Sequence, residues 1–258
     1  MSLTSRSEED PSPSDPVLPP VGPTAAATTV TPARSTKKGS FWRELPVLIV
    51  IALVLALLIK TFLVQAFFIP SGSMEETLQV GDRVLVNRLV YRFGEPQRGD
   101  VVVFNGVDSW TPEVTVNAPT NPVTGAIRNV AGLFGFASPN EKDFIKRVIG
   151  VPGDRVQCCD KKGRLLVNGV PLNEPYVYPG NTPSEQKFNV VVPEGRLWVM
   201  GDHRAASSDS RFHLGDPGGG TIPIDHVVGR AFVVVWPFSH LSWLSTPKTF
   251  DNPALDAP

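Results

Sequence analysis

Cysteine is nearly missing from this 258-residue chain: there are two, and they are neighbours, Cys158 and Cys159. Without a second, spaced pair, the cysteine framework of a zinc site is excluded, and neither a metal nor a cofactor is expected. The adjacent pair reads either as a strained bridge or as two small residues at the turn before Asp160-Lys161-Lys162-Gly163. Histidine is scarce as well. His203, His213, His226 and His240 are the full set, and none sits in a motif that marks the base of a catalytic triad. Charge of one sign is not in surplus. The formal net charge is -1 and no long basic stripe occurs in the second half, which excludes a nucleic-acid partner.

What the chain does have is an uneven layout. Residues 1–40 show no hydrophobic periodicity and are rich in Pro, Ser and Thr, the composition of a disordered leader. Leu45 to Ile69 is apolar apart from Lys60, Thr61 and Gln65. At about 1.5 Å per helical residue such a run exceeds a hydrocarbon core of about 30 Å, so a membrane-spanning segment is expected over 41–69. Lys60 lies near its far end, where the amine can extend to the interface. Arg34, Lys37, Lys38 and Arg43 precede the run, which predicts an N-terminus on the cytoplasmic side and export of everything after Ile69. Val64-Gln65-Ala66 also looks like a small-residue cleavage site, so self-cleavage near Ala66 stands as a side hypothesis.

Beyond Ile69 the pattern turns to short runs of Val, Ile and Phe without a long amphipathic helix between them. Strands are expected at Arg83 to Asn87, Asp100 to Phe104, Phe144 to Ile149, Arg164 to Val167, Leu197 to Met200 and Val227 to Val235. Asn168-Gly169 between apolar runs fits a tight hairpin turn, because both residues tolerate positive φ. A mainly β fold of antiparallel strands over residues 70–245 follows. Residues 105–142 read as an insertion whose aromatic patch, Phe134 and Phe136, packs on the domain or dips into the lipid interface. The tail 246–258 reads as loosely ordered.

The candidate chemistry begins with Pro70-Ser71-Gly72-Ser73-Met74, directly after the apolar run. A serine hydroxyl is a poor nucleophile until a neighbour takes its proton. Alternation along Phe144 to Ile149 puts Lys146 on one face with Phe144 and Val148, an apolar surface. Desolvation there disfavours the ammonium form, which suits an amine to work as a general base. Ser73 is then the nucleophile, with its own amide and the Ser71 hydroxyl as donors to the developing oxyanion. Read alone, the same residues describe a Ser-Gly-Ser linker and an edge-strand lysine with its head in water.

Four ordered segments make the pattern specific. They are Pro70 through Leu78, Gly81-Asp82-Arg83-Val84-Leu85-Val86, Arg98 through Phe104 followed by Phe144 through Val156, and Gly201 through Arg211. From about Phe41 to Trp243 the chain resembles the type I signal peptidases, membrane-bound Ser/Lys endopeptidases that remove signal peptides from exported precursors. The resemblance implies an antiparallel β catalytic domain, with Ser73 as nucleophile, Lys146 as general base and Ser71 as oxyanion donor. It further implies that Ser207 orients the lysine amine, that Asp209 and Arg211 pair, and that Asp202 and Arg204 support the same loop. Implied partners are the lipid bilayer and secretory precursors with small residues at the first and third positions before the cut. Two departures stand out: Glu76 occupies the place of a proline in the nucleophile segment, and Ala205 and Ala206 replace an acidic and an amide residue in the last loop.

Other readings fare less well on the sequence. A membrane-anchored β module that binds a cell-envelope partner without catalysis is the main alternative. A self-cleaving repressor-type protease lacks a place for the apolar run, and a sortase needs a lone reactive cysteine.

Overall fold

The computed structural model describes residues 41–107, 109–110 and 143–256. Expectations for the leader 1–40 and for Phe134 and Phe136 in the insertion lie outside the described residues. By backbone contacts the chain divides into Met1–Pro46 and Val47–Pro258, and only Phe41–Pro46 of the first unit is described.

Helix α1 covers Phe41–Phe62 and stops seven residues short of the expected Ile69. Its side chains from Val47 to Leu55, almost all aliphatic, are half-exposed or more. Among the described residues no helix is long and apolar enough to cross a membrane. Strand β1, Val64–Phe68, comes next in the chain and pairs antiparallel with β2, Arg83–Asn87, from Val64↔Asn87 to Phe68↔Arg83. The correction has a simple cause. An unbroken apolar run does not reveal its period, and the paired backbone of β2 satisfies Val64–Phe68 as a strand.

The remaining strands are β3 Val101–Asn105, β4 Asp143–Gly150, β5 Arg155–Cys158, β6 Leu165–Val167, β7 Val170–Pro171, β8 Phe188–Val191, β9 Arg196–Met200, β10 Ile222–Pro223, β11 Val227–Trp236 and β12 Ser242–Trp243. The longer of them fall on the short Val-, Ile- and Phe-rich runs of the sequence, joined by β5, β7, β8, β10 and β12, which those runs do not announce. A four-residue helix, α2 Val90–Phe93, lies between β2 and β3. All strand pairs among the described residues are antiparallel. One sheet has the order β1-β2-β11-β3-β4-β9-β10 with β12 on β11, and a second has the order β7-β6-β5-β8. The β6–β7 hairpin turns at Asn168 and Gly169, both with positive φ (51° and 78°), as the dipeptide predicts. Cys158 and Cys159 are bonded to each other, which decides between the two readings of the pair.

Two features of the packing position the site. Between β1 and β2 the chain makes a loop whose neck is closed by Ile69 N–H to Asp82 O (2.9 Å) and Gly81 N–H to Ile69 O (2.9 Å). Ile69, Met74 and Leu78 from this loop are fully buried in a cluster with Val84, Val86, Val101, Val103 and Ile145. Each contributes about 1.5–3 kcal/mol of transfer free energy, which fixes the loop to the sheet at three points. The second feature is the tail. Residues 246–256, expected to be loose, are docked. Leu255 is fully buried in the cluster with Ile149, Val156 and Trp198, Phe250 stacks on Tyr176, and Arg98 bonds to Asp256 (2.6 Å). Two apolar side chains spaced among Pro, Asp and Asn suffice to hold it, a signal too sparse to read from periodicity.

Candidate active site

Ser73 sits in a single 3-10 turn, Gly72–Met74, inside the loop between β1 and β2. Met74 points into the core and pulls the turn down, leaving Ser73 1% exposed. Lys146, in the middle of β4, is completely buried, and its Nζ donates to Ser73 Oγ at 2.7 Å. Seventy-three residues of sequence separate the two groups. The register of β4 against β3, Lys146 opposite Val102, and the neck of the loop that carries Ser73 together bring them into contact. Ser71 Oγ lies 3.4 Å from Ser73 Oγ, so the two hydroxyls face the same point.

The loop Gly201 to Arg211, which follows β9, packs against this turn. His203 N–H donates to Ser73 O (3.1 Å). The faces of Gly201 are crowded by Ser73 O and by the side chain of Ser207, which leaves no room for a Cβ. Ser207 is therefore buried beside the Ser73 turn, although its Oγ makes no hydrogen bond, so the hydrogen bond to the lysine amine expected of it is not formed. Asp209 and Arg211 are paired at 2.8 Å, and Asp209 Oδ2 also accepts from Gly201 N–H (3.0 Å).

Asp202 and Arg204 turn to different partners. Asp202, fully buried, takes a two-pronged contact from Arg147, Nε at 2.8 Å and Nη2 at 2.6 Å, and accepts a short hydrogen bond from Thr77. Arg204 reaches Glu174 (2.6 and 3.1 Å) and folds back onto Gly201 O (3.0 Å). Arg147 also donates to Gly99 O (2.9 Å), and its guanidinium lies 4.3 Å over the ring of Tyr176. Burial works to lower the pKa of Arg147, but the charge and hydrogen bonds of Asp202 outweigh it, so the group stays above the ordinary arginine value. Arg204 is likewise raised by Glu174 against its burial. Burial, with the Glu174 charge second, pushes the Tyr176 phenol well above its usual value. Both guanidinium groups are fixed charges, and Tyr176 is a fixed neutral hydrogen-bond donor to Glu174 (2.7 Å).

Arg147, Thr77, Glu174 and Tyr176 are the parts that reading the sequence missed. Arg147 was signalled in one respect: on the β4 face opposite Lys146 it falls between Ile145 and Ile149, and an arginine buried there needs a carboxylate. Nothing local names Asp202, 55 residues away, as that carboxylate. The two alanines of the last loop leave no hole in its bonding, because their amides are taken up, Ala205 N–H by Asn181 Oδ1 (2.9 Å) and Ala206 N–H by His203 O (2.9 Å). Glu76 has φ of +83°, a value that the ring of a proline forbids.

No group of side chains among the described residues has the composition and geometry of a metal site. The arrangement offers a hydroxyl, an amine in contact with it, a second hydroxyl beside it and a rigid charged scaffold behind. Those are the parts of acyl transfer by a serine nucleophile.

The sequence pattern of the family described as "Signal peptidase, peptidase S26" matches residues 42–236. A probable signal peptidase I of Mycobacterium leprae (strain TN) is 41% identical over 243 residues, covering 84% of this chain and 83% of the relative. A signal peptidase I of Mycobacterium tuberculosis (strain ATCC 25618 / H37Rv) is 43% identical over 235 residues, with 84% and 79% covered. Among solved structures, a signal peptidase I from Enterococcus faecalis V583 is matched at 26% identity over 53% of this chain and 97% of that chain, with a TM-score of 0.33.

Proposed function

This chain belongs to the signal peptidase family, peptidase S26, a family of serine endopeptidases, and we propose that it removes signal peptides from exported precursors with Ser73 and Lys146 as a catalytic dyad. The observation that carries the dyad is the 2.7 Å contact between two buried groups, Lys146 Nζ and Ser73 Oγ.

The steps follow from that contact. The neutral amine of Lys146 takes the proton of Ser73 as its oxygen attacks the scissile carbonyl, forming the new C–O bond. Ser71 Oγ, beside Ser73 Oγ, and the Ser73 amide donate to the oxyanion as it develops. The ammonium returns its proton to the leaving amine, the peptide bond breaks, and an ester remains on Ser73. A water deprotonated by the same amine then hydrolyses the ester and frees the serine. Burial of Lys146 supports this reading, because taking an amine out of water disfavours its charged form. Asp202, Arg204, Asp209 and Arg211 hold the loop that grips Ser73.

The substrates proposed are precursors with small residues at the first and third positions before the cut, presented at a membrane. The half-exposed aliphatic side chains of α1 and the basic residues before it support a membrane anchor with the N-terminus inside and the catalytic domain outside. Tethering enzyme and precursor to one bilayer raises their effective concentration and sets the cut near its outer face. The test is to incubate the purified protein in detergent with a precursor bearing an Ala-x-Ala site. Wild type is expected to cleave after the second alanine, while Ser73→Ala and Lys146→Ala leave the precursor whole. Unchanged cleavage by either variant removes the dyad, and a wild-type protein that leaves the precursor whole makes a binding module the better description.

A further inference from the structure

We propose that Glu75 and His203 form a clasp whose task is to position Ser73, so that both are positioning residues for the reaction. The inference rests on Ser73 being the nucleophile. His203 grips the turn twice. Its main-chain N–H donates to Ser73 O at 3.1 Å, and its ring Nδ1 meets Glu75 Oε2 at 2.9 Å, two residues further on. Glu75 is tied back in turn, its own N–H donating to Gly72 O (3.0 Å). Its carboxylate lies directly over Gly72, where a Cβ would meet Glu75 Cδ at 2.9 Å and its two oxygens at 3.0 and 3.1 Å. The Ser71-Gly72-Ser73 turn is thus held between the peptide of His203 and the side chain of Glu75.

The far side of the clasp is fixed as well. The Tyr178 ring stacks on the His203 ring, centroids 4.1 Å apart and planes 14° from parallel, and Tyr178 N–H donates to Asp202 O (3.0 Å). Through Asp202 the clasp is anchored to Arg147 and β4, the strand that carries Lys146. The two halves of the dyad therefore share one frame.

The side chains of His203 and Glu75 are 18% and 29% exposed. A single side-chain pair partly exposed to solvent contributes little to global stability, so a stabilising role is a poor account of this one. Alignment is a better one, since a nucleophile displaced by about 1 Å loses on the order of a hundredfold in rate. Gly72 adds an independent handle. A methyl group there displaces the flexible end of Glu75 and little else, because the three nearest atoms all belong to that carboxylate. Gly72→Ala should therefore open the clasp without altering either of its members.

The experiment measures steady-state cleavage of the Ala-x-Ala precursor by the full-length protein in detergent, with melting temperatures for every variant. Glu75→Ala and His203→Ala are each expected to lower kcat about tenfold with KM within about twofold of wild type, and the double variant to be no slower than the worse single. Glu75→Gln, which keeps a partner for the imidazole, recovers most of the rate. Gly72→Ala slows the wild type and adds no loss in the Glu75→Ala background. Losses that multiply in the double variant, a loss confined to KM, wild-type rates in both singles, or a loss that follows the melting temperature would each overturn the clasp. Cleavage by Ser73→Ala strikes the dyad instead, so the two failures are told apart.

Discussion

Lys146 and Arg147 are neighbours on one strand, both cationic residues by type and both buried, and the fold gives them opposite surroundings. Arg147 is met by the carboxylate of Asp202, the hydroxyl of Thr77, the carbonyl of Gly99 and the face of Tyr176. Lys146 reaches the hydroxyl of Ser73. A carboxylate at hydrogen-bond distance holds a cation charged, whereas a hydroxyl accommodates a neutral amine as well as a charged one. Alternation along the strand thus separates a fixed charge, which ties the loop after β9 to the sheet, from a group proposed to give and take a proton. The difference teaches that burial alone does not make a base. The carboxylate of Asp202 on its face makes the buried Arg147 structural.

The contrast can be broken from either side. Removing the amine with Lys146→Met should lower kcat by about 10³-fold or more while leaving the melting curve within a few degrees, as cleavage assays and thermal denaturation on the same preparation would show. Arg147→Met should do the reverse. It strands a fully buried Asp202, which costs about 3–5 kcal/mol and is read from the denaturant midpoint, with activity lost because the fold is lost. If Arg147→Met were as stable as wild type and merely slow, the division of labour between the two positions would be wrong.

Smaller effects sharpen the frame behind the comparison. Leu255→Ala, at the end of the docked tail, should lower stability by about 2–4 kcal/mol, because Leu255 fills the cluster under β5 and β9 and Phe250 beside it stacks on Tyr176. A tail that contributes nothing would leave the midpoint unmoved. Glu76→Gly should raise stability by about 1 kcal/mol, since glycine takes a φ of +83° without the crowding an L side chain suffers there.

Much of this architecture is legible in the sequence, and the boundary of what is legible is physical. Strand pairs such as β3–β4 announce themselves as short runs rich in Val, Ile and Phe, and Asn168-Gly169 by its backbone freedom. Ser73 and Lys146 stand out as a Ser-Gly-Ser turn and a lysine among apolar strand residues, with a family resemblance to join them. Whatever depends on a distant partner stays hidden. Val64–Phe68 is apolar enough for helix or strand, and only β2 decides. Asp202 falls in the right loop without its tie to Arg147, and Ser207 is expected to make a hydrogen bond that its hydroxyl does not make. Glu174 and Tyr176 sit in a stretch whose composition reads as loop, and their part emerges only from the contacts of Arg204 and Arg147.

The central claim is that the amine at position 146 works in its neutral form. The most direct measurement is the pH dependence of kcat/KM for wild type and for Lys146→Cys alkylated to a thialysine, whose amine is more acidic than that of lysine. The account predicts a rate that falls about tenfold per pH unit on the acid side in wild type, and in the thialysine protein a restored rate whose acid limb lies at lower pH. An acid limb at the same pH in both proteins would contradict it.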